Sequence, residues 1–197
     1  MKRLPYPKHH YVKTGPILRC QICNAPDMHM ILDLGHQPLC DTLLTKEMLN
    51  EPESTYPLRM MWCKQCTCVQ LDYCVDGSVV YHLGYPYRRG ISKPLADYQK
   101  PICLSLIKQY KIKKTDLAVD IGSNDGTLLS GFKGAGVRIL GVEPTNIAKI
   151  ANANGIKTIQ SVFDIATAKK IRKQYGPAKV ITTTNVFAHM QTMGEVI

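Results

Sequence analysis

From Thr115 onward, short apolar runs alternate with segments of helical period. Residues 117–121, Leu-Ala-Val-Asp-Ile, form a compact apolar run that ends at Gly122, the signature of a buried strand. The spacing predicts a helix over 127–133, closed by Gly134 and Gly136, and a second strand over 137–142. A helix over 147–154 ends at Gly155, a third strand covers 156–159, and a helix over 165–175 stops at Gly176-Pro177. The fourth strand is 179–184. Strands alternating with helices in this rhythm predict an α/β fold with a parallel, doubly wound, Rossmann-like sheet, of which these are the first four strands.

The chain ahead of this has a different texture. Residues 1–16 read as a flexible arm. Residues 17–80 are punctuated by Pro, Gly and Cys, with apolar runs too short to close a core unaided, so this segment needs a staple. Residues 81–114 read as a tyrosine-rich connector and a helix over 93–110. Ser92 is placed to cap that helix and Pro94 fits its first turn, while Pro101 is expected to kink or divide it. The remaining domain is 115–197.

Composition narrows the staple to a metal. There are eight cysteines in 197 residues. The start of the chain has no apolar signal region, and no run approaches the ~18 apolar residues of a membrane span, which together point to a cytoplasmic protein. Disulfides are then disfavoured. Cys20-Gln-Ile-Cys23 and Cys63-Lys-Gln-Cys66 are two Cys-x-x-Cys knuckles, and two such knuckles make the tetrahedral sulfur site that zinc favours. Four thiolates leave no open position, so this zinc is expected to be structural. Cys68 is close enough to compete but reads as a small apolar residue in a strand over 68–71, and Cys40, Cys74 and Cys103 have no partner at ligand spacing.

The net charge of +10 is concentrated in two runs, 108–114 and 169–173. Such runs attract phosphates, but they also occur as solvated helix faces with cations near the C-terminus.

The junction after the first strand carries the chemistry. Asp120-Ile-Gly122-Ser-Asn124-Asp-Gly126 joins strand to helix, and glycines there let a ligand approach backbone N–H groups at a helix start. Glu143 ends the second strand, where a carboxylate can accept hydrogen bonds from a ribose diol; NAD and S-adenosylmethionine (SAM) enzymes share that feature. The loop discriminates between them. A dinucleotide fingerprint needs Gly-x-Gly-x-x-Gly, whereas here the spacing is Gly122-x-x-x-Gly126 with Asn124 at the middle position, which suits a ligand without pyrophosphate. The acid before the loop, Asp120, suits the positively charged methionine part of SAM.

With these stretches, together with residues 32–39, 56–58, 63–71, 140–144 and 185–189, the chain resembles the SAM-dependent sugar C-methyltransferases that act on nucleotide-linked deoxysugars. Their N-terminal zinc-binding domain, Rossmann-like SAM domain and C-terminal substrate domain imply SAM and structural zinc as cofactors and a nucleotide-linked keto-deoxysugar as partner. The resemblance places Gly122, Asn124, Gly126 and Glu143 against SAM, with Asp164 toward the adenine. Asn185 and His189 follow the fourth strand, where His189 is the candidate base; a helix-capping role fits it equally. Tyr85 and Tyr87 are candidates to line the sugar pocket. Three departures stand out: Thr67 where the family has glycine, Pro101 inside a helix, and a chain that ends after four of seven strands, which implies a fragment or C-terminally truncated form lacking the usual base segment and the substrate domain. The competing readings are a zinc-containing nucleic-acid-binding protein, weakened by a zinc module of small net charge, and an NAD-binding Rossmann protein, disfavoured by the loop.

Overall fold

The computed structural model describes residues 14–82 and 84–190, which fall into two compact units, 14–82 and 84–189. The first unit is built of β1 (Gly15–Pro16), β2 (Met28–Pro38), β3 (Thr55–Cys63), β4 (Val69–Leu71), β5 (Tyr73–Cys74) and the one-turn α1 (Gly77–Val80). Strands β2, β3 and β4 form an antiparallel sheet in that order, and β1 pairs with β5.

The eleven-residue β2 and its partner β3 occupy a region whose sequence reads as loop-rich. The reason is visible in the pairing. Register shifts between Met30 and Leu32 and between Asp33 and His36 break the period of two. Met30, Ile31, Leu32 and Leu34 are all exposed, so neither face of β2 carries the alternation that marks a strand. The buried members of this unit's core are Cys20, Ala25 and Cys63, with Ile22, Cys23, Met28, Cys66 and Cys68 packed against them. The apolar core is therefore the cysteine cluster itself.

The second unit begins with α2 (Lys93–Gln109) and continues β6 (Leu117–Ile121), α3 (Thr127–Gly134), β7 (Arg138–Glu143), α4 (Ile147–Ala153), β8 (Thr158–Gln160), α5 (Ile165–Tyr175) and β9 (Val180–Thr182). The four strands are parallel in the order β8-β7-β6-β9. The chain therefore reverses its direction of winding between β6 and β9, and the crevice outside their carboxyl ends is where open sheets of this kind bind ligands. Residues of β6 alternate between two cores. Leu117 and Val119 join Leu140, Val142 and Ile171 on the α5 face, whereas Ala118 joins Cys103, Leu128, Phe132 and Ile156 beneath α2, α3 and α4.

Pro101 does not divide α2, which runs unbroken through it. Pro101 and Asp97, whose carbonyl loses its partner, both lie on the exposed side, so water replaces the missing hydrogen bond. The opposite side packs closely on α3: Cys103 is fully buried, and a Cβ on Gly131 of α3 would lie 2.9 Å from its sulfur. Ser92 occupies the N-cap position without making a side-chain cap, and Pro94 stands in the first turn. The basic run 169–173 is a solvated face of α5 from which Ile171 turns into the core, and Arg172 and Lys173 lie in the last turn, where the helix dipole favours them.

Candidate metal centre and ligand loop

The ligating atoms of Cys20, Cys23, Cys63 and Cys66 all lie within 4.8 Å of one another. Cys20 Sγ is 3.5 Å from Cys66 Sγ, and Cys23 Sγ is 3.6 Å from Cys63 Sγ. A tetrahedral zinc with bonds of about 2.3 Å separates its sulfurs by roughly 3.8 Å, so the donor set fits a four-thiolate zinc site.

The two knuckles are built alike. The Cys20 carbonyl accepts from Asn24 N–H, and Cys20 N–H donates to the Ala25 carbonyl, each at 2.9 Å. The Cys63 carbonyl accepts from Thr67 N–H, and Cys63 N–H donates to the Cys68 carbonyl, each at 2.8 Å. This closure forces the fifth residue of each knuckle into the left-handed region, with φ 61° at Asn24 and 62° at Thr67. Asn tolerates that conformation and glycine would adopt it freely, but a β-branched threonine is strained there. Burial and the surrounding sulfurs of Cys23, Cys20 and Cys63 push the Cys66 thiol well above its ordinary range. Four neighbouring thiols cannot all ionise without a cation among them, and a divalent metal supplies it. Cys68 lies beside the cluster outside the four ligands and just before β4; Cys40 is exposed, Cys74 half-buried and Cys103 buried.

In the second unit, the β6–α3 loop is shaped by three left-handed residues, Gly122 (φ 64°), Asn124 (φ 52°) and Gly126 (φ 80°). A Cβ at Gly122 would collide with the Val186 side chain, and one at Gly126 would lie 2.5 Å from Ile156. Glu143 is buried at the end of β7. Its Oε1 accepts from Thr145 N–H at 3.0 Å and Thr145 Oγ1 at 2.7 Å, and its Oε2 accepts from Asn124 N–H at 2.9 Å. With about four acceptor positions on a carboxylate, roughly one stays open to a ligand hydroxyl.

Residues 20–81 match the family model of a putative zinc-binding domain. Over 183 residues the chain is 28% identical to C-methyltransferase NovU of Streptomyces niveus, an alignment covering 92% of this chain and 43% of the relative. The chain is a relative of a C-methyltransferase. It spans less than half the length of the curated relative it matches.

Within this C-methyltransferase relative, the expected ligand-contacting residues meet different fates. Asn124 spends its side chain on the protein: its Oδ1 accepts from Arg89 N–H at 2.8 Å and its Nδ2 donates to the Tyr87 carbonyl at 2.9 Å. Gly90 N–H donates to Asp125 Oδ2 at 2.8 Å. Segment 87–90 is thereby pinned along the loop, with the Tyr87 side chain exposed and that of Tyr85 half-buried. Asp164 caps α5, its Oδ1 accepting from Thr167 N–H at 2.7 Å. Asn185 (φ 53°) and His189, in a 3-10 turn, follow β9, and both are exposed. A cavity of about 290 Å³ beside the start of α3 is lined by Arg88, Asp125, Thr127, Ser130 and Asn154 among others, but by none of Asp120, Glu143 or Asn185.

Arg89 is the residue that sequence reasoning missed. It is only 4% exposed, with its Nη2 donating to the Thr184 carbonyl at 2.9 Å.

Asp120 is fully buried, its Oδ1 accepting from Thr182 Oγ1 at 2.6 Å. Burial pushes its pKa up to about 6; the Thr182 hydrogen bond and the Arg89 charge pull it down, and Glu143 pushes it further up. An unfolded aspartate titrates near ~3.9, so between about pH 4 and 6 the folded chain holds more protons than the unfolded one. The contribution of this group to stability therefore falls as pH rises through that window, by on the order of 3 kcal/mol in all, about half of it between pH 5 and 8. Urea unfolding of Asp120→Asn against the parent should show the variant gaining in relative stability from pH 5 to pH 8. The zinc centre titrates alike in both chains and cancels. A difference independent of pH would mean that Asp120 is not held above its ordinary range.

Proposed function

We propose that this chain forms the zinc-binding and SAM-binding parts of a C-methyltransferase that acts on a carbon next to the keto group of a nucleotide-linked deoxysugar. The observation that carries the reading is the left-handed 122–126 loop at the reversal of a parallel sheet, tied to an acid at the end of the next strand, in a relative of a C-methyltransferase. The residues present fit SAM in one specific respect: Asp120 Oδ2 is buried with no hydrogen-bond partner, an acceptor suited to an ammonium group.

In this reading SAM, when bound, supplies an electrophilic methyl group. Gly122, Asn124 and Gly126 shape the loop against it, and Glu143 accepts from one ribose hydroxyl while fixing the loop with its other acceptor positions. Asp120 receives the ammonium, and Asp164 and Asn185 flank the ends of the strands. His189 accepts the proton from the carbon next to the keto group, since that C–H is too weakly acidic to ionise without a positioned base. Tyr85 and Tyr87 border the sugar. The zinc holds the first unit together and takes no part in the chemistry.

Calorimetric titration of SAM and NAD into the zinc-loaded protein tests the reading. Saturable binding of SAM and none of NAD is expected. Binding of NAD in place of SAM would transfer the loop to a dinucleotide, and a folded chain that binds neither would sink the cofactor assignment.

A further inference from the structure

The buried polar groups around Asp120 do not balance on their own. Arg89 is 96% buried and Asp120 wholly so, yet Arg89 Nη1 and Asp120 Oδ2 both lack a hydrogen-bond partner. The hydroxyls of Thr183 and Thr184, just beyond β9, are buried and unpartnered as well. Buried polar atoms are nearly always paired, and a charged group left without a partner is costlier than a neutral one. Here a cationic donor and an anionic acceptor stand open together at the reversal point of the sheet. An uncharged polar ligand could hydrogen-bond to both but would answer neither charge, and a simple anion or cation would answer only one. A zwitterion with its ammonium and carboxylate on one carbon satisfies both.

The placement of Arg89 is deliberate. Its backbone N–H is held by Asn124 of the loop, and its Nη2 is held by the Thr184 carbonyl, so the free Nη1 is fixed between the loop and the end of β9. An arginine held at its backbone and again at its guanidinium loses little further freedom when it takes a carboxylate.

Resting on the SAM reading above, we infer that Arg89 binds the α-carboxylate of the cofactor's amino-acid end, opposite the ammonium held by Asp120, and thereby makes the site selective for the intact amino acid. The alternative is that Arg89 serves only as a counter-charge to Asp120, in which case ligands with and without the carboxylate would be bound alike.

The test is a grid of binding constants by calorimetry on the full chain. The ligands are SAM and S-adenosylhomocysteine, which both carry the carboxylate, decarboxylated SAM, which differs from SAM only in lacking it, and methylthioadenosine, which lacks both carboxylate and amine. The proteins are the parent, Arg89→Lys and Arg89→Met, each checked for folding by circular dichroism. In the parent, loss of the carboxylate is expected to weaken binding at least tenfold. Arg89→Met should weaken SAM and S-adenosylhomocysteine by a similar factor while leaving decarboxylated SAM and methylthioadenosine within about twofold, and Arg89→Lys should recover part of the loss. Equal weakening of all four ligands by Arg89→Met, or a parent indifferent to the carboxylate, overturns the assignment and leaves the SAM reading intact. If no adenosyl ligand binds the folded parent, that reading falls and the assignment falls with it. If Arg89→Met does not fold, indifference of the parent to the carboxylate still overturns the assignment, and a carboxylate-specific loss in Arg89→Lys still supports it.

Discussion

Removing the metal is expected to unfold the first unit while the second keeps its structure. Four-cysteine zinc sites contribute apparent binding free energies of about 10–16 kcal/mol near neutral pH. That exceeds the whole stability of many small domains, about 5–15 kcal/mol. This unit has little to set against the loss, since its buried apolar residues are two of the ligands and Ala25, and the long β2 is exposed on both sides. Cys63→Ser should act like chelation, because Cys63 is both a ligand and the anchor of its knuckle through Thr67 and Cys68. Trp62, the sole tryptophan of the chain, lies in β3 next to Cys63, so its fluorescence reports this unit selectively. On chelation the Trp62 emission should shift to that of a hydrated indole, and amide exchange across β2 and β3 should accelerate by orders of magnitude. Exchange across β6 and β7 should be unaffected. Retention of the native Trp62 signal after zinc has been counted out by mass spectrometry would show that the unit folds on its side chains alone.

How much of this was legible in the sequence varied with the physics that each part relies on. The parallel sheet was readable because its strands are short, buried and bounded by glycine; the predicted 117–121 coincides with β6 and the predicted 165–175 with α5. The zinc ligands were readable because Cys-x-x-Cys is itself a geometric statement. The β2–β3 pairing was not, because bulges and two exposed faces erase the alternation on which strand reading depends. Thr67 looked like an arbitrary departure until the left-handed turn of its knuckle explained why a glycine belongs there. Arg89 was hidden for a different reason. Burial of a cation depends on Asn124 and Thr184, which are 35 and 95 residues away, and no local pattern carries that information. Pro101 shows the opposite case: it does not divide α2, because the turn that loses its hydrogen bond faces water.

Glu143→Ala is expected to destabilise the ligand-free second unit by about 3–5 kcal/mol, as befits the loss of a buried charged acceptor with several donors. A carboxylate whose only task was to meet a ribose would show the opposite behaviour. It would be under-satisfied without ligand, and its removal would leave stability unchanged or raise it, as happens where a site is strained for function. Here the Glu143 carboxylate accepts from Asn124 N–H, Thr145 N–H and Thr145 Oγ1, and Thr145 Oγ1 in turn accepts from Ile147 N–H at the start of α4. Truncation strands these donors in a place where Thr145 is fully buried, and no water replaces the lost oxygens without opening the loop. The damage should spread in both directions, through Asn124 to segment 87–90 and through Thr145 to α4. Hydrogen exchange read at 122–126 and 143–148, beside urea unfolding, separates the two roles. Faster exchange at both places in the ligand-free variant marks Glu143 as the tie between loop and sheet. Unchanged exchange with a weakened affinity for adenosyl ligands would reduce it to a binding residue. Glu143→Gln should fall between the parent and alanine, because its amide oxygen keeps one side of the arrangement while its NH₂ group confronts a donor on the other.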